Sequence, residues 1–181
     1  MNSMSFIVWM FPIIFMFHDF EEILMAEVWG NRYREAINAT WPKSQPFGLK
    51  TAHNYHTPSF SIAVEVLFLL FSLISFFSVF FQNYYVWFAV FAGVTIHFVI
   101  THMWMCVRFK HYVPGVITST IFLGPSVWLL FTAEKILHYD LIAVMLVCLI
   151  GIAVLAILKP VLHNLMSPMS RALSKYSEQK S

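Results

Sequence analysis

Apolar residues run almost unbroken through five stretches of this chain, separated by shorter polar segments. The stretches cover residues 6–28, 60–81, 84–107, 112–133 and 141–158. Each is close to the ~20 residues that carry a helix across the hydrocarbon core of a bilayer. In that setting a chain must satisfy its own backbone, so the pattern predicts helices. The expected architecture is all-α, an integral membrane bundle of about five transmembrane helices in one domain over residues 1–160. A polar loop spans residues 29–59, the link Gln82–Asn83 makes a tight hairpin, and a basic tail follows over residues 161–181. The tail is expected to fray, with an amphipathic stretch at residues 161–173. Thr57-Pro58 is a helix start, with Thr as N-cap and Pro in the first turn. Gly124-Pro125 predicts a kink in the fourth span.

Composition agrees. Of 181 residues 59% are apolar and only 11% charged, more apolar surface than a soluble domain of this size can hide. Charge then orients the bundle, because basic residues favour the cytoplasmic side. With the N-terminus outside and the C-terminus inside, Lys135 alone of the 11 basic residues lies outside. A bacterial-type plasma membrane is the expected location. Under this topology the Asn38-Ala39-Thr40 sequon stays cytoplasmic. No Lys or Arg precedes Arg32, so the first span lacks the charged start of a signal peptide and is expected to be retained. Cys106 and Cys148 fall in different spans at different depths, which argues against a disulfide. A net charge of +2 with no basic run excludes a nucleic-acid partner; oligomeric state is left open.

Ionisable residues inside the spans change the picture, because they are costly there and mark function. The first span carries His18-Asp19-Phe20-Glu21-Glu22, the second Glu65, the third His97 and His102. Counted from the cytoplasmic ends, His18 and His97 lie about 15 Å deep, and Glu21, Glu22, Glu65 and His102 about 7–11 Å. Three helices thus bring polar groups to one slab of membrane. His and Glu near a helix end also pair with one another or snorkel; the agreement in depth favours a site. His18 and Glu22, spaced i, i+4, share a face that suits a metal ion, with Glu21 beside them as proton carrier. His97 and His102 are about 140° apart on an ideal helix and reach one centre only by flanking it or by local distortion. Asp19, about 100° from His18, is expected to meet a neighbouring helix. Thr118 lies at the depth of the acidic cluster. The long loop is expected to fold over the cytoplasmic mouth and bring His53 or His56 close.

His18-x-x-Glu21-Glu22 followed by Tyr112-x-Pro114-Gly115-x-x-Thr118 resembles the multi-pass membrane family named for its HxxEE motif, across the first four helices. The family's Asn-x-x-x-His element has no match, since Gly93 precedes His97 and Phe98 precedes His102 at that spacing. The resemblance implies a polar site and no particular chemistry. The first helix is also similar to the inverted zinc-hydrolase motif HxxEH with its last His replaced by Glu. That similarity implies His18 and Glu22 as ligands and Glu21 as general base.

The resulting expectation is an intramembrane metal-dependent hydrolase acting on a lipid-like substrate through metal-activated water. Its metal ligands would be His18, Glu22, Glu65, His97 and His102, with Glu21 and Thr118 as catalytic residues and zinc as the metal. One alternative is a non-haem iron oxidoreductase, carboxylate-bridged di-iron included. Another is a metal or proton transporter, although no polar residues continue the path through the outer leaflet.

Overall fold

The computed structural model describes residues 3–43, 45–50 and 56–178, with no side-chain description for residues 159, 162 and 163. The helices are α1 (Ser3–Arg32), α2 (Arg34–Thr40), α3 (His56–Phe81), α4 (Tyr85–His97), α5 (Trp104–Phe109), α6 (Val116–Leu137) and α7 (Leu141–Glu178). A π-helical segment, Phe98–Met103, joins α4 to α5, and a 3₁₀ turn occupies Pro46–Gly48. Five helices are long and apolar enough to cross a membrane: α1, α3, the α4–π–α5 unit, α6 and α7 as far as Leu158. No strand occurs among the described residues.

The five expected spans therefore stand, with two differences in their limits. The fourth begins at Val116 and ends at Leu137, four residues later than the hydropathy implies, because Gly115 adopts φ +84° and stops the helix there. The fifth does not end near Pro160. α7 continues through Pro160 and Pro168 to Glu178, where the tail was expected to fray. Met166 and Ser170 on this extension are buried, so packing adds to what propensity alone would give.

α4 occupies the middle of the bundle. Every residue from Trp87 to Thr95 is buried, and its apolar character continues around the whole helix. Phe11 of α1 lies between Phe71 of α3 and Phe91 of α4, with ring centroids 4.9 and 5.0 Å away. The same region settles a backbone debt of α1. Pro12 has no N–H to give the Val8 carbonyl, a loss that matters where no water can replace it. The Trp87 indole N–H donates to that carbonyl at 3.1 Å, and the Ser75 hydroxyl also donates to it at 3.4 Å.

α4 and α7 approach most closely where glycines face each other. A Cβ on Gly93 would meet the Gly151 carbonyl carbon and oxygen at 2.8 Å, and one on Gly151 would collide with the Ala89 carbonyl. Small residues at such a crossing let dispersion contacts between helices replace the missing hydrophobic drive. Gly151→Ala is therefore expected to push the helices apart at a cost of about 1–3 kcal/mol, seen as a lower melting temperature in detergent by roughly 2–12 °C.

At the other end of α1 an aromatic cluster ties down the long loop. Trp29 is fully buried, donates its indole N–H to the Tyr112 carbonyl at 2.7 Å, and touches Phe47 and Phe109. Phe47 takes φ +56° to reach this position. His56 holds the turn from α3 through a 2.8 Å contact between its Nε2 and the Phe47 carbonyl oxygen, which makes Nε2 the donor.

Candidate metal centre

The first span and the π segment supply the centre. α1 contributes His18, Asp19 and Glu22, all buried. The other two histidines are aligned by the local winding. In an α-helix residues five apart diverge, whereas a π segment repeats at about that interval and is often found at functional sites. His97 at its entry and His102 within it therefore face one point, with Nε2 atoms 3.1 Å apart. Glu22 Oε1 lies 3.1 Å from His102 Nε2 and 3.5 Å from His18 Nε2. One donor atom from each of His18, Glu22, His97 and His102 falls within a 4.8 Å circle of mutual distances, a group that could hold a metal ion.

Outer hydrogen bonds set how these rings present themselves. The Thr118 hydroxyl donates to Glu21 Oε2 at 2.6 Å, so towards His18 Nδ1, 3.1 Å away, it acts as acceptor. In a neutral His18 the proton then sits on Nδ1 and Nε2 keeps its lone pair. Among the described residues this buried Nε2 has no hydrogen-bond partner. His102 Nδ1 lies 3.0 Å from the Pro114 carbonyl, which only accepts, so a neutral His102 likewise turns an unprotonated Nε2 to the centre. His97 Nδ1 is 2.7 Å from the Thr101 hydroxyl. An imidazole with its outer nitrogen engaged and its inner lone pair convergent is the usual condition of a metal-bound histidine. At these distances lone pairs and a carboxylate oxygen repel unless a proton or cation lies between them. Three of the spacings, 3.1, 3.1 and 3.5 Å, lie near the ~3.3 Å that separates donors about 2.0–2.1 Å from a tetrahedral metal, within a set that spans up to 4.8 Å.

The Tyr112–Thr118 segment forms a second layer around this set. Glu21 accepts from the Tyr112 hydroxyl at 2.7 Å and from the Thr118 backbone N–H at 2.8 Å, a carboxylate at the N-terminus of α6. Burial first, and then the Glu21 bond, push the Tyr112 phenol up, so it stays a donor. Pro114 gives its carbonyl to His102, and Thr118 joins His18 to Glu21. Gly115 leaves the room: a Cβ there would lie 2.6 Å from His102 Cε1 and 3.0 Å from Glu22 Oε1. Thus both sequence motifs meet at one place, residue by residue. Thr118→Val keeps the shape but removes the link between His18 and Glu21. It is expected to weaken metal binding about 10–100-fold, as read by competition with a chromogenic chelator.

The expected site residues fall into distinct positions. His18, Glu22, His97 and His102 converge. Glu21 and Thr118 contact the set from outside, with the Glu21 oxygens engaged by Tyr112 and Thr118. Glu65 is exposed on the outer face of α3 and does not join the four. Asp19 was expected at a neighbouring helix, yet its Oδ1 is 3.8 Å from His18 Nε2. Around the helix Asp19 is about 60° from Glu22, while Glu21 is about 100° from it, so a centre on the Glu22 side meets Asp19 first. His56 is buried but bound to the loop, and His53 lies outside the described residues.

A cavity of about 540 Å³ opens beside the four donors. Asp19 and Thr101 line it together with them, and the loop contributes Gln45–Gly48. The long loop thus covers this end of the bundle.

Comparison with curated proteins and with solved structures returned no match. The sequence pattern of a family described as "Protein of unknown function with HXXEE motif" matches residues 9–130, which takes in most of α1, the π segment and most of α6. The chain belongs to that HXXEE family, and His18, Glu21 and Glu22 are the residues that spell its motif.

Proposed function

We propose that this chain is an intramembrane metal-dependent hydrolase acting on a lipid-like substrate. The observation that carries the reading is the convergence of three outward-anchored imidazoles and one carboxylate on the wall of a largely apolar cavity. His18, His97 and His102 would hold the metal and Glu22 would be a fourth donor, which leaves a water the fifth position that catalytic zinc can open. Zinc is the expected ion, and it would supply a water acidic enough to attack a carbonyl or phosphoryl carbon or phosphorus near neutral pH. Asp19 would accept the proton released there, because it lines the cavity while the Glu21 oxygens are engaged by Tyr112 and Thr118. Glu21 and Thr118 position His18. The basic residues favour N-terminus outside and C-terminus inside, and on that orientation the proposal puts the centre in the cytoplasmic leaflet, with a bacterial-type plasma membrane as the expected location.

A second reading, non-haem iron oxidation, is favoured by one feature. Four protein donors leave zinc only an added fifth position, whereas six-coordinate iron would keep two positions open. Both readings are tested by stripping the reconstituted protein with chelator and restoring single metals over vesicles that contain an acyl ester lipid. Hydrolysis regained with zinc and without oxygen supports the hydrolase. Product formed only with ferrous iron and oxygen selects the oxidoreductase. Neither product, with metal driven across the vesicle wall, selects the transporter.

A further inference from the structure

The shape of the cavity narrows the substrate. Along α3 it extends from Phe60 to Phe71, eleven residues or about 16 Å of helix. Phe15, Phe71 and Val94 line it with apolar side chains, and Gln45 and Asn164 add amides. Ala63 and Leu67 of α3 and Leu155 and Leu158 of α7 line it as well. The other polar side chains that line it are the four donors with Asp19 and Thr101. A volume of about 540 Å³ has room for ~18 groups the size of a water molecule at ~30 Å³ each. A methylene group is about that size, so the space matches one lipid chain. In a bilayer a chain is already in hydrocarbon, so apolar walls alone give little selection. Volume then decides which lipids enter.

We propose that the cavity takes the single chain of a monoacyl lipid, with its ester carbonyl against His18, Glu22, His97 and His102, and excludes diacyl lipids by volume. The fate of the ester rests on the hydrolase reading; occupancy by one chain does not. In the reaction the water oxygen bonds to the acyl carbon, the acyl C–O bond breaks, and the alcohol leaves with a proton as the carboxylic acid is released.

The test uses the full chain purified in detergent and radiolabelled palmitate, competed with monopalmitoylglycerol or dipalmitoylglycerol. Saturable binding of one palmitate per chain is expected, displaced at least tenfold better by the monoacyl lipid. Ala63→Phe on α3 and Leu158→Trp on α7, each filling the cavity from its own side, should weaken palmitate binding at least tenfold with metal content unchanged. Equal competition by the diacyl lipid overturns the proposal, as does wild-type binding in both filled variants. Palmitate binding without any ester hydrolysis leaves the chain site standing and removes the hydrolase. Hydrolysis of a short water-soluble ester without palmitate binding does the reverse.

Discussion

Replacing His102 with alanine is expected to leave the purified protein without stoichiometric metal. His102 is fully buried and meets His97 at 3.1 Å, Glu22 at 3.1 Å and the Pro114 carbonyl at 3.0 Å. Structural zinc sites bind with roughly 10–16 kcal/mol, so one donor in four accounts for about 2.5–4 kcal/mol, or about 10²- to 10³-fold in affinity. The same change in His18 should act alike, since its Nε2 has no other hydrogen-bond partner to serve. Elemental analysis after gel filtration reads the loss, and circular dichroism checks that the helices remain. Unchanged metal content in both variants would place the ion elsewhere.

Gly115→Ala should come close to the same result without touching a donor. The new methyl would lie 2.6 Å from His102 Cε1 and 2.7 Å from Nδ1, at a residue with φ +84°. The ring has to turn away, which breaks the Pro114 bond and points Nε2 off the centre. Backbone strain adds about 1–3 kcal/mol. Metal binding should fall about 10²-fold or more, within the loss expected for one donor. Gly124→Ala is the control. Nothing lies within 4 Å of a Cβ at Gly124 inside α6, so this variant should bind metal normally. It should also be more stable by about 0.5–1 kcal/mol.

Much of the fold is written in the hydropathy pattern, because span length in a bilayer is set by its thickness. Where one helix stops is written elsewhere: the start of α6 depends on the left-handed Gly115. The reach of α7 past Pro160 depends on packing by residues such as Met166. At the site, the His18–Glu22 pair was legible as an i, i+4 face. The His97–His102 pair was legible by depth but not by phase, since a π segment does not follow the 3.6-residue repeat from which phase is counted. Glu65 shows the converse. It matches in depth, yet its direction around α3 takes it to the outer surface. Depth fixes one coordinate of a side chain and phase another, and both must agree before a residue joins a centre. Asp19 needed a third coordinate, the side of α1 on which the partner histidines stand.

The central claim is that the HxxEE helix and the π segment together hold one metal ion. The most direct measurement is the metal content and X-ray absorption spectrum of the wild-type protein, purified without chelator. One ion per chain is predicted, with three imidazole nitrogens and a carboxylate oxygen as its protein ligands, at about 2.0–2.2 Å. A metal-free protein, or an ion with fewer than two imidazoles in its shell, would contradict the account and leave the cluster as a buried hydrogen-bonded network.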